Sequence, residues 1–271
     1  MTFDFSLLPL SLLGLVSGFL AGLLGIGGGM VLTPFLVLIL TTHGVEAGLA
    51  VKMAIATSMG TIAFTSISSV RAHHQRGAVR WRIVWRLAPG IWVGAMAASM
   101  GAFALLRGAW LALVFALFVG FSATQMFLDR KPSAARQLPA LPGLFGAGGG
   151  IGFLSGMVGA GGGFVSVPFL AWCNVPIHSA IATSAALGFP IAVSNVIGYV
   201  ISGWGHAGLP PHSAGYVWLP ALAAIAVCSV LTAPLGAKAA HALPVKPLKR
   251  IFACLLYLLA AYMLYQGLQG F

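Results

Sequence analysis

The sequence predicts an all-α polytopic membrane protein. Its about ten hydrophobic segments are expected to form two inverted five-segment repeats with Gly-rich helix breaks or re-entrant hairpins. Three observations lead there. Of the 271 residues, 59% are hydrophobic and only 6% charged, against about 25% charged in a soluble domain, so most of the surface must face something other than water. Apolar stretches recur along the whole chain, many near the roughly 20 residues that cross a bilayer. One glycine-rich phrase is also written twice, as GFLAGLLGIGGGMVLTPFL at 18–36 and GFLSGMVGAGGGFVSVPFL at 152–170.

Taken in order, the segments fall at 5–24, 30–42, 48–70, 84–106, 109–128, 143–160, 163–175, 178–203, 215–237 and 247–268. The stretches at 30–42 and 163–175 are short for full spans. Apolar runs of about 10–14 residues suit re-entrant or buried helices. The opening MTFDFSLLPL lacks the positive n-region of a cleavable signal, so the first apolar stretch is expected to stay in the membrane. Cys173, Cys228 and Cys254 all lie in apolar stretches and show no disulfide framework or metal-ligand spacing.

The net charge of +11 is read as a topology signal rather than a nucleic-acid footprint. Arg71, Arg76, Arg80, Arg82 and Arg86 surround one loop. Arg130, Lys131 and Arg136 lie in the polar linker DRKPSAARQLP, and Lys238, Lys246, Lys249 and Arg250 lie near the end. If each segment crosses or returns in turn, these twelve of fourteen basic residues share one side. By the positive-inside rule that side is the cytoplasm, and both termini are periplasmic. A hairpin that dips in and returns has the same parity as two spans, so charge leaves that choice open.

The repeat organises the chain. Residues 18–36 and 152–170 agree at 12 of 19 positions, and Ala54-Ile55-Ala56-Thr57-Ser58 returns as Ala180-Ile181-Ala182-Thr183-Ser184. This divides the protein into an N-terminal repeat at 1–128, a cytoplasmic linker at 129–142 and a C-terminal repeat at 143–271, one membrane domain overall. Five segments per half is an odd number, so the second copy must enter the membrane upside down. The charges agree: the loop at 71–86 carries five Arg, and its counterpart GWGHAGLPPHSAG carries no Lys or Arg. Inverted repeats are characteristic of secondary transporters, whose substrates sit near the midplane where the repeats meet.

Two kinds of glycine precede the breaks. Gly14, Gly18 and Gly22, like Gly148, Gly152 and Gly156, recur every four residues and suit close helix packing. The runs containing Gly25, Gly27, Gly28 and Gly29, and Gly159, Gly161, Gly162 and Gly163, should interrupt the helix. Unpaired backbone at that depth is tolerated only inside protein or beside a water-filled cavity. Each following helix begins with free N–H groups and a positive dipole end, a favourable place for an anion. A bare turn with no ligand explains the same residues. A nucleotide-binding reading of GIGGG lacks the strand and βαβ unit it needs.

Polar side chains inside the segments complete the candidate site. Thr57, Ser58, Thr183 and Ser184 supply hydroxyls, with Ser68, Ser69, Ser194 and Asn195 at matching places; the alternative for any lone Ser or Thr is a bond to its own helix. Asn195 is expected to face the interior. Lys52 and His178 occupy equivalent positions as pathway mouths, or as snorkelling end-anchors. Asp4, Glu46 and Asp129 are the only acids, all near segment ends, so no mid-membrane carboxylate offers a proton or sodium relay. A negative charge leaving a negative-inside cell gains about 2.3 kcal/mol per 100 mV without a coupling ion. HExxH, GxSxG and paired carboxylates are absent from the sequence, so no enzyme is read. No cofactor or metal is expected. The partners expected are the lipid bilayer and a small anionic substrate, with no nucleic acid; a homo-oligomer is compatible with the sequence.

The twin G-x-x-x-G-x-x-G-x-GGG-x-x-x-x-P blocks at 18–34 and 152–168, each followed by A-x-A-T-S, resemble the TauE/SafE sulfite exporter family of membrane permeases over nearly the whole chain. The resemblance implies a bacterial inner-membrane permease for sulfite or a small organosulfur anion, with export favoured. A channel-like anion pore and a non-transport membrane partner subunit are the alternatives.

Overall fold

The computed structural model describes residues 7–24, 28–128, 136–242 and 245–270. Ten helices carry the fold among these: α1 Leu7–Leu24, α2 Gly29–Thr42, α3 Ala47–His74, α4 Trp81–Leu105, α5 Gly108–Leu128, α6 Leu141–Val158, α7 Gly163–Trp172, α8 Ile177–Gly203, α9 Leu219–Ala242 and α10 Val245–Gln269. Each expected hydrophobic segment corresponds to one of them. Seven are long and apolar enough to cross a membrane, and α1, α2 and α7 are the shorter apolar ones. At about 1.5 Å per residue, the 14 residues of α2 and the 10 of α7 reach only about 21 and 15 Å. Neither covers the ~30 Å hydrocarbon core alone.

Two details depart from the sequence reading. The loop after α8 contains a two-stranded hairpin, β1 Ser213–Ala214 paired antiparallel with β2 Val217–Trp218. Helix α4 also carries a π turn at Ala97–Ala102, where Ser99 packs into the space left by Gly198. Periodicity detects neither, because a two-residue strand and a one-turn shift in hydrogen-bond register are too short to alter an apolar pattern.

Helices pair crosswise between the halves. α1 lies along α9 and α4 along α6, while α3 packs on α8 and α5 on α10. The glycine ladders explain the first two pairs. A methyl on Gly14 would come within 2.7 Å of the Ile225 carbonyl oxygen, and one on Gly18 or Gly22 would fall on the backbone of Ser229 or Ala233. Gly148 and Gly152 meet the backbone of Leu87 and Ile91 in α4 in the same way. Tightly approaching backbones gain dispersion contacts that lipid cannot replace.

The central pair is α3 and α8, whose most hydrophobic windows are 72% and 67% buried, against 33% for α9. The outer helices turn large apolar side chains outward, among them Leu117, Phe121, Leu231 and Leu258. Every tryptophan except the buried Trp218 is exposed. Trp81, Trp85, Trp110, Trp172 and Trp204 lie near helix ends, at the level of an interfacial aromatic belt.

Candidate functional site

The helix after each break starts on a left-handed glycine. Gly28 has φ 73° and ψ −11°, and Gly162 has φ 75° and ψ −7°. A residue bearing Cβ costs roughly 1–2 kcal/mol in that conformation, which accounts for glycine at both positions. The Gly28 carbonyl accepts from Val31 and Leu32 N–H at 3.1 and 3.2 Å, and the Gly162 carbonyl from Val165 and Ser166 N–H at 3.0 and 2.8 Å. Neither helix has a side-chain cap, so its first-turn N–H groups face the break. Gly25 and Gly27 lie outside the described residues.

The two breaks touch. A methyl on Gly29 would land on the Gly159 carbonyl oxygen and 3.1 Å from Ala160 Cα. Ser58 joins the parts: its hydroxyl donates to the Gly159 carbonyl at 3.0 Å, and Thr33 Oγ1 stands 2.9 Å from the Ser58 oxygen. With the Ser58 proton engaged, Thr33 is the donor of that pair. In the other half, Ser166 donates to Ser184 Oγ at 2.7 Å, with the Gly162 carbonyl 3.0 Å away. Gly161, Gly163, Thr57, Ser58, Thr183, Ser184 and Asn195 are all buried.

Thr57 and Thr183 face elsewhere. The Thr57 oxygen accepts from the backbone N–H of Trp218 at 3.0 Å, the residue before α9; the Thr183 oxygen accepts from Arg80 N–H at 3.1 Å, the residue before α4. Each threonine thus holds the entrance of a helix in the other half, and the two bonds lie on opposite faces of the protein. Arg80, Arg136 and Trp172 mark the basic face, where Arg136 stacks 4.9 Å above the Trp172 ring. Trp218, Arg107 and Glu46 mark the other.

Lys52 and His178 are separated accordingly. His178 is exposed at the start of α8. Lys52 borders a cavity of about 560 Å³ on the opposite face with Glu46, Arg107, His206, Gln266 and Gln269. Its ammonium donates to the Ala104 carbonyl at 3.1 Å and lies 5.5 Å from the centre of the Tyr216 ring. Asn195 Nδ2 donates to the Ile191 carbonyl at 2.9 Å, while its Oδ1 is buried against Gly156 with no hydrogen-bond partner in the structure. Among the described residues, no three His, Cys, Asp or Glu groups cluster to hold a metal ion.

Sequence reasoning singled out Thr57-Ser58 and Thr183-Ser184, with Ser68, Ser69 and Ser194 beside them, and missed Thr33, Thr65, Ser66 and Ser166. The signal for two of them was present: Thr65, Ser66 and Ser69 recur at i, i+1 and i+4 on one side of α3. Together with Ser184, Gly161 and Gly188 they line a cleft between α3 and α8 that has room for about one water molecule.

Apolar spans packed around two broken helices, with the two breaks in contact at the buried centre, define a multi-pass helical membrane protein. The comparisons with known proteins agree. The chain belongs to the sulfite exporter TauE/SafE family, whose sequence model matches residues 10–263. It is 39% identical over 263 residues to a "Probable membrane transporter protein" of Haemophilus influenzae, covering 96% of this chain and 98% of that one. A protein of the same description from Methanocaldococcus jannaschii is 27% identical over 272 residues, covering 95% and 96%. No solved structure matches the chain.

Proposed function

We propose that the protein is a permease for a small sulfur-containing anion, such as sulfite or an organosulfonate, exporting it across a bacterial inner membrane. The observation that carries this reading is the contact of the two breaks: the uncapped start of α2 at Gly29 lies against the Gly159 carbonyl and Ala160, three residues before the uncapped start of α7 at Gly162–Gly163. Each uncapped start presents a positive dipole end to a low-dielectric interior, which favours negative charge beside the breaks. We read residues 1–128 and 143–271 as inverted copies about that junction. The crosswise helix pairs and the reciprocal Thr57–Trp218 and Thr183–Arg80 bonds support this. The basic face is cytoplasmic and both termini are periplasmic, by the positive-inside rule. Glu46, the one acid among the described residues, is exposed at the start of α3, which suits efflux driven by the membrane potential, with coupling through His178 or through protonation of the substrate as the alternative.

The test is flux in proteoliposomes. Under an applied potential the protein should move sulfite with saturation and trans-stimulation. Gly28→Leu and Gly162→Leu should each abolish flux while the protein stays monodisperse, because the side chain presses on Ser17 or on Ser155 and Ile191 and strains the left-handed backbone of the break. Normal flux in both variants would remove the proposed site; ohmic single-channel steps would replace the permease by an anion pore.

A further inference from the structure

The cleft between α3 and α8 is an uncharged place in which to hold an ion. Thr65, Ser66, Ser69, Ser184 and Gly161 form its polar wall, and no charged side chain lines it. It lies in the part of the protein nearer the basic face: Ser69 is near the end of α3 that leads to Arg76 and Arg80, and Ser184 adjoins Thr183, which holds Arg80. Thr65 is committed to Ser229 Oγ at 2.6 Å and to its own helix at 2.9 Å. Ser66 bonds back to the Ala63 carbonyl at 3.0 Å, from which a hydroxyl turns readily. Ser69 is different: it is only 3% exposed, and its oxygen has no hydrogen-bond partner. An unpaired buried hydroxyl is destabilising, and that cost is relieved when something polar enters the cleft.

We propose that Ser66 and Ser69, with the second break, form a subsite on the basic-face side that selects singly charged oxyanions over doubly charged ones. The inference rests on the transport reading and adds the charge class of the substrate. The reason is solvation. The Born cost of taking an ion out of water grows with the square of its charge, so a dianion of equal radius costs about four times as much as a monoanion. Hydroxyl groups and helix ends can offset the smaller cost. The larger one needs cationic side chains, and none lines this cleft: His73, one turn beyond Ser69 on α3, Arg76, Lys52, Arg107 and His178 all lie outside its lining. The Gly161 carbonyl adds to the discrimination: it lies 3.8 Å from where a methyl on Gly188 would stand and turns a partial negative charge toward α8. The space for one water is the occluded form of the subsite, and an oxyanion enters as α3 and α8 part.

Competition against labelled sulfite flux in proteoliposomes of the full chain, at one fixed pH and zero potential, tests this. Methanesulfonate carries one charge and sulfate two, with similar headgroups. Methanesulfonate should inhibit at a concentration about tenfold or more below that of sulfate, a difference of about 1.4 kcal/mol or more. Ser69→Ala should raise the half-inhibiting methanesulfonate concentration several-fold, and Ser69→Thr, which keeps the hydroxyl, should restore it. Equal inhibition by sulfate, or no change in Ser69→Ala, overturns the charge selection and leaves transport standing. Absence of sulfite flux in the unmodified protein overturns both.

Discussion

Replacing Ser58 by alanine tests whether the junction of the two breaks is held by that single hydroxyl. Ser58 is fully buried and makes two bonds outside its own helix, with Thr33 at 2.9 Å and the Gly159 carbonyl at 3.0 Å. In water-soluble proteins, stranding buried groups costs roughly 1–3 kcal/mol each. Bonds between membrane helices average only about 0.6 kcal/mol and reach about 1.7, because the membrane-embedded unfolded state finds partners of its own. The second scale governs here, and two bonds give a loss of about 1–3 kcal/mol for Ser58→Ala. Thr33→Val alone should cost about half that. The double variant should cost less than the sum of the two, since Thr33 no longer leaves a stranded donor. Reversible unfolding in mixed detergent micelles reads all three. Additive losses, or a Ser58→Ala change below about 0.5 kcal/mol, would refute the idea that Ser58 fastens the breaks.

Other consequences are equally concrete. Gly22→Ala puts a methyl on the Ala233 carbonyl and should lower stability by roughly 1–3 kcal/mol as α1 and α9 separate; Gly120→Ala, with nothing within 4 Å, should be neutral or slightly stabilising under the same thermal-unfolding assay. Thr57→Val and Thr183→Val each strand one backbone N–H, of Trp218 or Arg80. They should destabilise by similar amounts, about 0.6 kcal/mol and up to about 1.7 each, and a large effect in one with none in the other would break the proposed equivalence of the halves. His206→Cys, in a background with Cys173, Cys228 and Cys254 replaced by serine, should react with a membrane-impermeant maleimide from the periplasm; reaction only from the cytoplasm would overturn the orientation.

Much of the fold was legible because lipid imposes a simple rule: with no water to satisfy backbone groups, the spanning elements are helices or closed barrels. Long apolar runs therefore located the ten helices. Their ends were less legible, and α3 runs on to His74, because polar residues such as Arg71 can continue a helix beyond the apolar stretch. Glycine runs at 25–29 and 159–163 marked the interruptions for a similarly local reason, the cost of glycine within a helix. The roles of the hydroxyls were not local. Thr57 and Ser58 are neighbours in sequence, yet successive residues on a helix point about 100° apart. Thr57 faces the start of α9 and Ser58 faces the break at Gly159.

The amino-acid sequence alone determined the medium this protein lives in, its helical segments and the places where two helices must break, since each follows from the local cost of placing that residue in lipid or in a helix. Only the tertiary structure decided that the two breaks touch, that Thr57 and Thr183 are engaged in holding helix entrances, and that Ser69 is left facing a small polar cleft. Those outcomes depend on pairs more than 100 residues apart, such as Ser58 with Gly159 and Thr57 with Trp218. A hydrogen bond reaches about 3 Å, so its partner is fixed by the packing of whole helices rather than by sequence neighbours.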